Sequence, residues 1–180
     1  MALKSTIYKA NLNIADMDRP YYAEHALTLA RHPSETEERL MVRLLAFVCY
    51  ASENLSFTKG LSDVDEADIW QKDLTGQIEQ WVDVGQPDEV RIRKACARAE
   101  QVAVLTYSHS SHIWWKNIAN KLTRFNNLQI WQVPAEQSQQ LAKLADRNMT
   151  LQCTVQDGQI WFSNNTDTVE LSLTPLKARG

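Results

Sequence analysis

The chain has 180 residues, of which 44% are hydrophobic and 23% charged, with a net charge of -3. Five Gly and five Pro exclude a linker-rich or collagen-like chain. The charge excludes a chain-wide electrostatic grip on nucleic acid or an anionic membrane, but leaves room for a local basic groove. No apolar run approaches the roughly 18 residues that a membrane helix needs. The start, Met1 to Thr6, has no apolar signal-peptide core, so a cytoplasmic protein without a membrane partner is expected. Cys49, Cys96 and Cys153 are odd in number and widely spaced, with no Cys-x-x-Cys, which fits reduced, buried thiols. A single domain over 1–180 is the expectation at this length.

Thr6 to Ile14 alternates apolar and polar residues, the period of a half-buried strand. Asp16 to Pro20 reads as a turn and Tyr21 to Ala30 as the return strand of a long hairpin. Ser34, with Glu37 three residues on, has the capping-box spacing, so a helix is predicted from about Glu35 to Asn54. Ala67 to Leu74 and Gln77 to Val84 are strand-like around a two-residue Thr75-Gly76 turn. Asp88 is the N-cap of a helix running to about Glu100. Val102 to Tyr107 is the short apolar run of a strand buried on both faces. A helix from Ser110 to Leu122 and a strand from Leu128 to Val133 follow, and Pro134 opens a helix ending near Arg147. Asp157-Gly158 between Thr150–Val155 and Gln159–Phe162 is a strong hairpin signal. The fold class is therefore α/β, with a mixed central β-sheet flanked by helices and β-hairpins at both ends.

Three places carry candidate chemistry. At about 100° per residue, Glu38 falls in the same sector of its helix as Met41, Val42, Leu45 and Cys49, so it points where a sheet would lie. Glu35 and Glu37 need only the helix dipole to explain them. In the second place, Glu79, Trp81 and Asp83 share one strand face, and the Thr75-Gly76 turn sets Asp68 directly opposite Asp83. Two like charges so placed repel unless the edge is solvated or a cation sits between them. Third, Arg91, Lys94 and Arg98 form one helical stripe after this acidic strand. Such a stripe is ordinarily a solvated helix face. Beside acids that gather Mg²⁺, however, a Lys that polarises phosphate or water is what phosphodiester hydrolysis requires. His109-x-x-His112 lacks a nearby acidic or Cys partner for a metal, and Trp114-Trp115 reads as core packing.

Several strings in one order resemble the bacterial YaeQ family. They are His32-Pro33-Ser34-Glu35-Thr36, Arg43-Leu44-Leu45-Ala46 and Trp81-Val82-Asp83-Val84-Gly85 with Pro87-Asp88, Arg91 and Lys94-Ala95. Ile113-Trp114-Trp115, Met149-Thr150-Leu151-Gln152, Asp157-Gly158 and Ile160-Trp161 complete the match along essentially the whole chain. The resemblance implies a variant restriction-endonuclease-like fold of the PD-(D/E)XK superfamily, its core spanning about 34–133, and no established reaction. In that superfamily an acid-x-Lys signature ends a strand, whereas this chain has Asp83-Val84-Gly85, with Gly in place of Lys. Lys94 is the nearest substitute, and Glu38 matches the acid of the first core helix. The acid that partners Asp83 stays open: Asp68 fits by register, Asp73 by proximity and Glu79 by its face.

The expectation is a metal-dependent, nuclease-like protein acting on nucleic-acid phosphodiesters. Glu38, Asp68 and Asp83 would hold Mg²⁺ or Mn²⁺, with Glu79 as a further catalytic acid. Lys94 would stabilise charge, Arg91 and Arg98 would grip phosphates, and the chain would act as a monomer. The alternative is a nucleic-acid- or protein-binding module that keeps the fold without turnover.

Overall fold

A computed structural model describes residues 4–58 and 65–179. In chain order the elements are β1 (Thr6–Asp16), β2 (Tyr21–Arg31), α1 (Glu37–Tyr50), β3 (Leu55–Phe57), β4 (Ile69–Lys72) and β5 (Ile78–Val84). There follow α2 (Glu89–Arg98), β6 (Ala99–Tyr107), α3 (Ser111–Leu122), β7 (Leu128–Val133) and α4 (Ala135–Ala142). The chain closes with β8 (Asn148–Gln156), β9 (Gln159–Ser163), β10 (Thr168–Ser172) and β11 (Thr174–Lys177). No helix among the described residues is long and apolar enough to cross a membrane.

The strands form two mixed sheets rather than one central sheet. The first has the order β10-β9-β8-β1-β2 and the second β11-β7-β6-β5-β4-β3. The two terminal hairpins do not extend the central strands. They join each other through a parallel β1–β8 pairing that sets Leu12 beside Leu151. The cause lies in α1, whose residues Leu40 to Val48 are apolar nearly all round, with Arg43 the exception. A helix apolar on every side must be covered on every side, and all nine of these residues are buried. The first sheet covers one flank of α1 and the second sheet the other, with α4 alongside. On its far face the second sheet buries Ile78, Trp81, Val102, Val104, Leu128 and Ile130 against α2 and α3.

Local boundaries differ from the expectations for identifiable reasons. The N-cap of α1 is Thr36, whose hydroxyl accepts from the Arg39 N–H at 3.1 Å. Ser34 instead hydrogen-bonds His32 Nδ1 at 2.6 Å. Asp88 does cap α2, accepting from the Arg91 N–H. That helix stops at Arg98 because Ala99 already pairs with Ile78. The β4–β5 connection is wider than a two-residue turn: Asp73 Oδ1 accepts from the N–H groups of Thr75 and Gln77. Gly76 supplies the φ of +91° that the turn requires. The final helix ends at Ala142, well short of Arg147, and β3, β10 and β11 were not anticipated.

Candidate functional site

The parallel strands β5, β6 and β7 end together, and the crevice beyond such carboxyl ends is where open α/β sheets place ligands. The acids Asp68 and Asp83 come together at the end of β5, since Ile69 pairs with Val82 and the Asp68 N–H donates to Asp83 Oδ1 at 3.2 Å. Both are buried, at 4% and 2% exposure.

Each of these two acids is paired with an arginine. Arg91 binds Asp83 through Nε to Oδ2 at 2.8 Å and Nη2 to Oδ1 at 3.0 Å. Arg39 donates from Nη2 to Asp68 Oδ2 at 2.9 Å, and the Val84 N–H donates to the same oxygen at 2.8 Å. Arg39 also donates from Nη1 to Glu35 Oε2, and Arg43 grips both Glu35 oxygens. Three acids and three arginines thus form one connected chain from the start of α1 to the start of α2, in the order Arg43, Glu35, Arg39, Asp68, Asp83 and Arg91, with the Asp68 N–H joining the two aspartates. Burial pushes the Asp83 carboxyl up, the Arg91 guanidinium pulls it back, and the Asp68 charge adds to the rise. Burial alone would lower the pKa of Arg91, but its bonds to Asp83 outweigh that and hold it cationic.

The other candidate residues disperse. Glu38 is half-buried and turned toward α4, where the Ser138 hydroxyl donates to its Oε2 at 2.7 Å. No contact joins it to Asp83, so its place in the apolar arc is explained by α4 packing on α1. Glu79 does not share a face with Asp83. A bulge between Ile78 and Gln80 shifts the alternation, and Glu79 accepts from Gln71, which Ser52 holds beside the end of α1. Asp73 is exposed in its own turn, its carboxyl lowered first by the Thr75 hydroxyl. Lys94 is exposed on α2, without a hydrogen-bond or ion-pair partner among the described residues.

Arg91 and Arg98 flank the Trp81 ring at 5.6 and 5.1 Å and donate to the backbone carbonyls of Glu66 and Asp65. The Arg91 charge is directed into the fold, onto Asp83, whereas Arg98 stays exposed at the edge of the Trp81 ring. Among the described residues no three His, Cys, Asp or Glu side chains are placed to hold a metal ion. The donors near Asp83 do not fit Mg²⁺ or Mn²⁺, which want several free oxygens in octahedral array. Asp83 has both oxygens on Arg91, and Asp68 has one on Arg39.

The helix dipole does not explain Glu35, which precedes the Thr36 cap and is buried between Arg39 and Arg43, two residues given no role from the sequence. The i, i+4, i+8 spacing of the three was the available signal: an acid and two arginines on one helical line beside an otherwise apolar run. A different surface also emerges. From Gln101 through Ala135 there is not one Asp or Glu, while Lys116, Lys121 and Arg124 are exposed on and after α3. The neighbouring α2 adds Lys94 and Arg93 on the same side of the sheet, and Trp114 ties the two helices by donating to Pro87 O at 3.0 Å.

A family model described as YaeQ protein matches residues 1–173. A protein described as uncharacterized protein YaeQ from Salmonella typhi is 50% identical over 175 residues, covering 97% of this chain and 97% of that protein. Its counterpart from Escherichia coli strain K12 is 49% identical over the same shares. The crystal structure of YaeQ protein from Xanthomonas axonopodis pv. citri has a TM-score of 0.94 at 44% identity, covering 97% of this chain and 99% of that one. The crystal structure of YaeQ protein from Pseudomonas syringae gives 0.93 at 36% identity, with 97% of each chain covered.

Proposed function

The chain belongs to the YaeQ family, and we propose that it is a nucleic-acid-binding module on a restriction-endonuclease-like core, without metal-dependent turnover. The order α1-β3-β4-β5-α2-β6, with β5 and β6 parallel, supports the relation to the PD-(D/E)XK superfamily. So does the arrival of Asp68 and Asp83 side by side at a strand end. Turnover is absent from the reading because each of those acids is committed to an arginine and no lysine follows Asp83.

The observation that carries binding is the acid-free stretch from Gln101 to Ala135 and the cations it presents. In a protein of net charge -3, Lys94, Lys116, Lys121 and Arg124 make a local positive field on the α2–α3 face. A phosphate backbone is the polyanion that such a field attracts, with release of condensed counterions as the driving term. Half-exposed Trp114 and Trp115, with Ile113 beside them, offer apolar surface for bases.

The test is fluorescence anisotropy with labelled single-stranded and duplex DNA and RNA oligonucleotides. Binding at about 50 mM salt should weaken steeply as salt rises, and each of Lys94→Glu, Lys116→Glu and Lys121→Glu should lower the salt slope by about 1. Absence of binding, or binding untouched by the triple reversal, overturns the reading. Cleavage of any of these substrates with Mg²⁺ or Mn²⁺, lost in Asp83→Asn, overturns the absence of turnover and restores a nuclease.

A further inference from the structure

The central helix α1 ends at Tyr50, but the two sheets that enclose it continue beyond its last turn. With no helix left to separate them, they leave a cavity of about 330 Å³ between the layers. The cavity opens to solvent at one end, and its size is at the lower end of small-molecule sites. Its walls are apolar: Leu105 and Trp131 come from the second sheet, Val155 and Ile160 from the first, and Leu173 closes the side. Cys49 and Tyr50 form its end at the helix terminus.

The rim is polar but already engaged. Arg19 donates to Asp16 at 2.8 Å and to the carbonyls of Ala51 and Val48, closing the C-terminus of α1. Asp18 accepts from the N–H groups of Asp157 and Gly158 and clips the two terminal hairpins together. These contacts fix the mouth, pairing the Arg19 charge with Asp16 and leaving the Asp18 carboxylate held by backbone N–H groups.

One polar group inside is not so engaged. The Tyr50 hydroxyl, kept protonated by burial, donates to Gln129 Oε1 at 2.9 Å. That bond orients the amide of half-buried Gln129, whose Nε2 has no acceptor among the described residues. A fixed amide donor beside the Tyr50 and Trp131 rings recognises an acceptor atom on a flat ligand. The Cys49 thiol is pushed up to about 12 by burial, so the wall beside it stays neutral.

The geometry points to a binding site for an uncharged, planar aromatic molecule of one or two rings carrying a carbonyl or ring-nitrogen acceptor. Its rings would lie against Trp131 and Tyr50, and its acceptor would take the Gln129 amide N–H. This site is on the opposite side of the second sheet from the basic α2–α3 face, so it stands or falls independently of nucleic-acid binding.

The experiment is a ¹H–¹⁵N NMR titration of the whole chain with isoquinoline and with benzamide at neutral pH, using benzoate and cyclohexanecarboxamide as controls. The expected result is saturable movement of the Gln129 side-chain amide and Trp131 indole signals, with a Kd of about 1 mM or tighter for ligands of this size. Gln129→Leu should weaken both probes about tenfold, and Leu173→Trp should abolish binding by filling the void. Val155→Phe serves the same purpose should Leu173→Trp lose the dispersed spectrum of the folded chain. No saturable shift up to about 10 mM, ten times the expected Kd, overturns the site, as does undiminished binding in the folded plugged variant. Equal binding of benzoate or of the non-planar amide overturns the ligand class.

Discussion

Arg91 meets Asp83 as a two-pronged pair, Nε to Oδ2 at 2.8 Å and Nη2 to Oδ1 at 3.0 Å, in the space where a cation would need oxygens. Removing the guanidinium leaves a buried carboxylate next to Asp68. Arg91→Ala should therefore destabilise by about 2–3 kcal/mol, below the full cost of a deeply buried pair because Arg91 is 25% exposed. Millimolar Mn²⁺ should leave the wild-type Tm unchanged, since a ligand stabilises only the state that binds it. A Mn²⁺-dependent rise that disappears in Asp83→Asn would show that the arginine yields its place to metal.

Arg43 and Glu35 are held at the other end of the same network, each with a side chain only 2% exposed. Arg43→Met should cost about 3 kcal/mol, because it leaves one oxygen of the buried Glu35 carboxylate without its partner while Arg39 still holds the other. Combining it with Glu35→Gln should cost less than the sum of the two single changes, by about 1–3 kcal/mol of coupling. Urea denaturation of the four proteins in the cycle measures that term, and strict additivity would mean that the two residues do not act as a pair.

His25 lies edge-on to Phe47 at 5.0 Å, and burial lowers its pKa. The folded state therefore favours the neutral ring. Between the lowered value and about 6.5 the unfolded chain binds the extra proton, so stability rises with pH across that window. The contribution is complete above about 6.5 and is lost on acidification through the window, with a slope no steeper than about 1.4 kcal/mol per pH unit. His25→Gln should flatten the urea midpoint between about pH 5 and 7.5, and an unchanged slope would assign the pH dependence to other groups.

Burial raises all three thiols: Cys96 to about 11, Cys49 to about 12, and Cys153 further still. At about pH 8 the thiolate fraction of each is about one in a thousand or less, so the folded protein should react very slowly with a disulfide reagent. In guanidinium all three should react at once. Rapid labelling of one cysteine in the native state would identify an opening of the fold at that position.

Much of the chain was legible because its signals are local. The Thr6–Ile14 alternation, the Asp88 cap, the Leu128–Val133 run and the Asp157-Gly158 turn each depend on a few neighbouring residues, and each is found. The expected register that sets Asp68 beside Asp83 is found, although a wider turn and a one-residue bulge together produce it rather than the two-residue turn. What failed depended on partners far along the chain. Nothing near Glu38 announces that Ser138 will meet it, and nothing near Asp83 says that Arg91 will take both its oxygens. A bulge one residue wide was enough to turn Glu79 away. The second sheet was the costliest miss, although the all-round apolarity of Leu40 to Val48 was its signal. Reading one face of that helix implied one sheet, whereas reading every face would have implied two.

The enclosure of α1 has a consequence for how the chain is made. One wall around this helix requires Leu12 to lie beside Leu151, so the β1–β2 hairpin, whose strands can pair with each other at once, waits for β8 before it can widen into a sheet. Until then α1, with Leu40, Met41, Leu44 and Phe47, lacks the share of its cover that β8, β9 and β10 supply. Parallel pairing across such a separation is entropically slow to close. A nascent chain stalled anywhere between α2 and α4 would display a long greasy helix, a natural substrate for trigger-type chaperones and proteases. Truncating the last four strands, β8 to β11, should therefore yield not a smaller folded core but an insoluble or degraded product.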